Sequence, residues 1–565
     1  MLVTSGTNRL QVTADPWMAT ERAVTACQQS RFIDEDQRAI QLRDARLDAD
    51  LVSHALSILD NQRISNDSQF PWQYTAVAQL NATSLTKHPN VLSLTYPFNP
   101  VKAAYWTGLP HHRRTPFAVS PDGASAYLAY LDNSKTDVHI QGVDPATFRA
   151  VGPTVTVTGA KEAGGLVAQN DGFALLTNLP VTGVSNAPPG NTPVPALVRY
   201  KNGGLAWKTF FGGPGVHEDS GLAMAPDLNG DLVYSEKSGL YGAYFVVTDY
   251  TGPYSGHFGD SIQYVDDSGK LVEISEASSS WGCSHNTGIA FEAADTPPYA
   301  SICAEDHDGI WLNTDTLGMS GKKIANENAI NGADGEPMGG MSGSYSVLAN
   351  FPQSTQYIFA WASRGAVNLT QDSWLQAPYT NCAPRTLNHN VAIALLTDKS
   401  NLTGPEASSI VGAASGDDQV NWITTGSVDR SNVHVAAFDS SNALVTWEEI
   451  TSPNCSYPAM GCFGTFTGSY FQQVDNLGHK LGSPISAMDV FVAGDIVNVG
   501  VSKLCWPYVD MVWDLSLPVD GGLPTTSTSE MSFACMDINN GTASSKRRRS
   551  ARAFSRAHLV SRARV

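Results

Sequence analysis

Charged side chains are scarce in this 565-residue sequence, at 16% against the roughly 25% of soluble domains. None of its eight cysteines forms a C-x-x-C pair, which excludes zinc ribbons and thioredoxin-like chemistry. It has no run of 18 or more apolar residues, so no helix spans a membrane. It also lacks a P-loop, a dinucleotide-binding glycine fingerprint and an H-E-x-x-H helix. Residues Met1–Ala14 lack the apolar core of a secretory signal. Three alternatives follow: a start further upstream, unconventional export, or an intracellular protein.

Ser, Thr, Asn, 49 Gly and 31 Pro take the place of charge, the composition of an all-β protein rich in turns. Twelve Trp, 19 Tyr and 20 Phe supply ample core. The net charge is −18, and the body is more acidic still, because Lys546, Arg547, Arg548, Arg549, Arg552, Arg556, Arg562 and Arg564 crowd the tail. An acidic body repels phosphate backbones, so no nucleic-acid partner is expected. Residues 541–565 read as a disordered basic tail.

An even number of scattered cysteines in loop-rich sequence fits disulfides and an oxidising compartment. Cys283–Cys303 and Cys455–Cys462 each flank a short hairpin-like segment, Cys505–Cys535 is a third pair, and Cys27–Cys382 remains by elimination. Six N-x-S/T sequons, at Asn66, Asn81, Asn368, Asn401, Asn454 and Asn540, fit a secreted glycoprotein.

Residues 1–68 stand apart. Ile33–Leu59 spaces its apolar residues by three and four with charges between, and predicts an amphipathic helix in an N-terminal extension. Beyond residue 69, short alternating runs separated by turn residues predict strands: Ala126–Asp132, Asp231–Glu236, Tyr357–Ser363, Ala443–Glu449 and Val509–Leu515. Trp361, Trp447 and Trp513 recur within three of them. A second pattern recurs at His139–Gly152, Ser261–Ile274 and Tyr470–Ser483, where alternation leads to Val-Asp, a turn and another strand. There the Asp side chain can bond the turn's own backbone. Ser120–Tyr130 is a further hairpin, whose S-P-D-G turn resembles those of WD40-like and TolB-like propellers. Hairpins repeated over nearly five hundred residues predict one β-propeller across residues 69–540, with seven blades, six or eight being the neighbouring counts. Two β-sandwiches are the alternative.

The densest polar stretch is Pro253–Trp311. Its G-H-x-G-D, Y-V-D-x-x-G and W-G-C-S-H segments, followed by C-x-E-D, resemble a group of secreted fungal and bacterial propeller proteins. That resemblance implies the fold and carries no defined activity. His257, Asp260 and His285 could hold a divalent metal ion, with His217, Glu218 or Asp306 adding to a ligand site. A structural polar network is the competing reading. Asp227–Asp231 (DLNGD) fails as a calcium loop, because Leu232 stands where glycine is required. Gly339–Ser344 is a glycine-rich loop and not a G-x-S-x-G elbow. Trp106, Trp374 and Trp506 are candidates for stacking on sugars.

Together these features predict a monomeric extracellular recognition module for a glycan or other small ligand on one propeller face. The alternative is a hydrolase or lyase drawing acid/base groups from His257, Asp260, His285 and Glu218.

Overall fold

The computed structural model describes residues 79–103, 110–183, 192–213, 222–224, 230–249, 258–278, 288–305, 309–316, 321–327, 346–455, 462–510 and 527–541. The expected helix, the basic tail and the strand at Val509–Leu515 lie largely or wholly outside them. Within them the chain is all-β, with one short 3-10 turn at Ile538–Gly541.

Seven antiparallel sheets follow one another along the chain: blade 1 (117–158), blade 2 (163–210), blade 3 (222–272), blade 4 (289–326), blade 5 (348–422), blade 6 (429–487) and blade 7 (497–537). Strand Leu85–Phe98 completes blade 7 by pairing with Thr528–Asp537, Leu85 opposite Met536 and Phe98 opposite Thr528. The first propeller strand and the last therefore share a sheet, which closes the ring.

The cores show why these strands stack radially. Strand Tyr357–Ser363 is buried along its whole length, and period-two alternation splits its side chains between two neighbours. Tyr357, Phe359 and Trp361 pack with blade 4 residues such as Ile302 and Leu312. Ile358, Ala360 and Ala362 pack with Val435, Val445 and Trp447 of blade 6. The same division recurs at every junction, from blades 1 and 2 through 2 and 3, 3 and 4, and 6 and 7. Blades 7 and 1 share the last. Each fully buried Leu, Ile or Phe is worth about 1.5–3 kcal/mol, so the stability of a blade depends on both neighbours.

The recurrent Val-Asp pattern forms the outer hairpin of blades 1, 3 and 6. Asp144 Oδ1 accepts from the Ala146 N–H at 2.8 Å. Asp266 Oδ1 accepts from Ser268 and Lys270, and Asp475 Oδ1 from Leu477 and His479, at 3.0 and 2.8 Å. Asp475→Ala should therefore cost about 1 kcal/mol in urea unfolding, with ligand-face properties unchanged. A loss below 0.3 kcal/mol, on the order of measurement error, would show that water replaces the carboxylate.

Two expected disulfides are present, Cys455–Cys462 in blade 6 and Cys505–Cys535 between paired strands of blade 7. Cys303 is also disulfide-bonded, and its expected partner, Cys283, lies outside the described residues. The pairing of Cys382 with Cys27 is corrected: Cys382 carries a buried thiol, packed with Ala366, Leu369 and Ala413. Elimination failed because it assumes that every cysteine is oxidised.

Candidate functional site

The ends of the propeller differ. On one face the connections are tight, such as Gln169 to Gly172, Lys201 to Gly204 and Ser235 to Leu240. On the other, where each inner strand begins, they are long: Leu402 to Asp429, Asn326 to Leu348, Tyr508 to Thr528 and Ser363 to Asn390. Long connections carried by a rigid scaffold are where binding groups concentrate.

The centre of this long-loop face is crossed by residues 99–103 and 110–116, the described parts of the connection from the closing strand of blade 7 to the inner strand of blade 1. A short hairpin, Val101–Ala103 with Pro110–His112, leads into Arg113, Arg114 and Thr115. Arg114 is buried. It donates to the carbonyls of Gly164 and Gly230 on blades 2 and 3. Its Nη2 reaches Asp231 Oδ1 at 3.0 Å and Asp495 Oδ1 at 2.8 Å. The other Asp495 oxygen accepts from the Phe117 N–H at 3.0 Å, fixing the start of blade 1. Gly494 makes room for this crossing, because a Cβ there would stand 2.4 Å from the Thr115 carbonyl oxygen.

Two further pairs tie down the same segment. Arg113 Nη1 and Lys102 Nζ meet Glu162 of blade 2 at 3.0 and 3.4 Å. His112 Nε2 lies 2.7 Å from Glu448 Oε1 of blade 6, which also accepts from Asn432 Nδ2 at 2.8 Å. Asn432 Oδ1 in turn pairs with His434. One connection thus touches blades 2, 3, 6 and 7 through Lys102, His112, Arg113 and Arg114.

Burial and neighbouring charges compete for the proton affinities here. Burial pushes Asp231 up to about 6, against the pull of Arg114 and with a further push from Asp495. It raises Glu292, on the inner strand of blade 4, to about 8, and the charges of Asp231 and Asp495 add to the rise. Burial opposes the Arg114 charge, which Asp495 and Asp231 more than restore. It also pushes Glu162 up, but Lys102 and Arg113 outweigh it and hold that carboxyl below its ordinary value. A carboxyl that keeps its proton near neutrality can donate to an acceptor.

Of the residues expected to form a site, Asp260 is described. It is buried on strand Phe258–Asp266 and its Oδ2 accepts from the Tyr244 hydroxyl. His217, Glu218, His257, His285 and Asp306 lie outside the described residues. Trp106 does too. Trp506 is corrected as a sugar-stacking candidate: it is fully buried between blades 6 and 7, donating to the Phe491 carbonyl at 2.8 Å. Trp374 is 63% exposed. It stands beyond the hairpin Ala366–Gln371 and Thr380–Pro384, inserted into blade 5. Residues 407–417 pair alongside, with Val367 opposite Ser415 and Leu369 bonded to Ala413. This register brings exposed Ile410 and Val411 to the end of the hairpin that carries Trp374. The insertion is anchored by Arg385 Nε on Asp417 Oδ2 at 2.7 Å, and by Asn326, which donates to the carbonyls of Ser408 and Gly416.

Sequence reading missed Arg114 and its partners. The available signal was His111-His112-Arg113-Arg114 between two prolines, a dense cationic run in an acidic chain.

No protein-family model matches the chain, and no curated protein matches it. Solved structures that resemble it are β-propellers. They include a Hadza microbial sialidase, Hz136 (10% identity, TM-score 0.33, covering 64% of this chain and 65% of that one). A GH43 endo-arabinanase from Bacillus licheniformis has 11% identity and a TM-score of 0.26, covering 56% and 95%. A Dyadobacter fermentans protein of unknown function has 12% identity and a TM-score of 0.30, covering 65% and 94%. The chain thus spans 65% of the sialidase's length. At such identities the likeness concerns the fold alone.

Proposed function

We propose that this propeller is an extracellular recognition module that binds a glycan on its long-loop face. The observation that carries the reading is the asymmetry of connections, long on the face where inner strands begin and tight on the other. Trp374 supports it, as an exposed indole on an insertion that is otherwise pinned down, the arrangement that offers a rigid apolar plate to a sugar ring. His257, Asp260 and His285, with His217, Glu218 and Asp306, are assigned to the polar part of the same site. The first three would hold a divalent ion.

A second reading, hydrolysis or elimination on the bound glycan, would draw its acid/base groups from His257, Asp260, His285 and Glu218.

The full chain applied to a glycan array should retain a defined subset of glycans. Trp374→Ala should weaken that binding more than tenfold, on the order of 1.4 kcal/mol, without lowering the melting temperature. His285→Ala should abolish dependence on divalent ions. Retained glycans incubated with and without chelator separate binding from cleavage. No retained glycan, or unchanged affinity in both variants, would remove the reading.

A further inference from the structure

A second cluster lies where blade 5 meets blade 6. His389 precedes strand Asn390–Asp398, and Asp429 opens the inner strand of blade 6. Both are buried, with 2% of each side chain exposed. Asp429 Oδ1 accepts from His389 twice, from the backbone N–H at 2.7 Å and from Nδ1 at 2.8 Å. The imidazole is therefore fixed in place by the carboxylate before anything binds. Beside it stands Cys462, joined to Cys455 across the ends of strands Asn442–Asn454 and Phe463–Asp475. One donor atom each from His389, Asp429 and Cys462 fall within 4.8 Å of one another. One nitrogen, one oxygen and two adjacent sulfurs are the donor types of a four-coordinate zinc site.

While the sulfurs are bonded to each other they carry no charge and make poor ligands. The thiolate is what binds metal. We propose that reduction of Cys455–Cys462 converts this cluster into a site for a zinc-type divalent ion, held by His389, Asp429, Cys462 and Cys455. The step balances simply. A phosphine reductant is oxidised to its oxide with oxygen from water, the S–S bond breaks, and the two sulfurs take up the electron pair and both protons of the water. Metal binding then displaces the two thiol protons. Access makes the step selective. Cys462 is part-exposed, whereas Cys505 and Cys535 are 0% and 1% exposed within blade 7. A mild reductant should open the blade 6 bond before that of blade 7.

The test is cobalt(II) titration of the full chain, reading thiolate-to-metal charge transfer in the near ultraviolet. Oxidised protein should show no band, and phosphine-treated protein should bind one equivalent. Zinc should displace the cobalt and bleach the band. Cys455→Ser, which leaves a Cys462 thiol without any reductant, should bind cobalt under non-reducing conditions. Substituting a residue that only orients a ligand weakens metal binding by about 10–100-fold, so loss of a ligand in His389→Ala should exceed that. Far-ultraviolet dichroism before titration confirms that each protein is folded. The proposal is overturned if reduced wild type and Cys455→Ser both lack the band. It is overturned equally if His389→Ala and Cys462→Ser keep wild-type affinity, which would place the metal elsewhere.

Discussion

Arg114→Ala should destabilise the propeller by about 3–5 kcal/mol, the cost of removing one partner from a buried ionic network. Two carboxylates, Asp231 and Asp495, would lose the guanidinium that bridges them, and the carbonyls of Gly164 and Gly230 would lose a donor. The loss falls on four places at once, because these groups belong to blades 2, 3 and 7 while Arg114 leads into blade 1. Arg114→Lys keeps the charge but not the planar fork, and should recover only part of the stability. Adding Asp231→Asn to Arg114→Ala should restore some of it, since one stranded charge is then gone. Urea denaturation of the full chain reads all three. A loss under about 1 kcal/mol in Arg114→Ala, the worth of an exposed pair, would mean that water already solvates the network.

Stability should fall as pH rises from about 5 to 8, and Glu292→Gln should flatten that slope. Glu292 has an ordinary value of 4.5 and is raised to about 8 in the folded protein. Between those values the folded state holds a proton that the unfolded state has released. Its favourable contribution is complete below 4.5 and is lost as pH climbs through 8, at up to about 1.4 kcal/mol per unit. Asp231, raised from 3.8 to about 6, acts with the same sign at lower pH. Glu162, whose value is lowered, acts oppositely and loses its contribution as acid is added. The maximum should therefore sit on the acid side of neutrality. Glu292→Gln should match wild type near pH 4.5 and exceed it by a few kcal/mol at pH 8.5. Melting temperatures across that range decide the matter. Parallel curves for the two proteins would show that Glu292 titrates normally.

Much of the architecture is written in local pattern. Tyr357–Ser363 predicts a strand by alternation, and the structure uses both sides of that alternation. Asp144, Asp266 and Asp475 predict turn contacts that are present. These features depend on residues two to four apart, which a sequence displays directly. The Arg114 network depends on residues brought together by ring closure. Arg114 and Asp495 are 2.8 Å apart in space, yet nothing near either one in the chain announces the other. Asp231 sits in a motif that reads as a simple turn, and its chemistry is set by burial.

The shared sheet of blade 7 also sets a clock for biosynthesis. Leu85 pairs with Met536, so this strand must wait for one made after six further blades. At ~5–20 residues per second, that interval runs from about twenty seconds to a minute and a half. Throughout it, Leu92, Leu94 and Phe98, all buried in the finished ring, have blade 1 to pack against but no strand to pair with. An unclasped edge of this kind is a template for pairing with another nascent chain. The vulnerable species in the cell is then the open, six-sevenths-built ring, and a factor that shields one strand for a minute protects the whole protein.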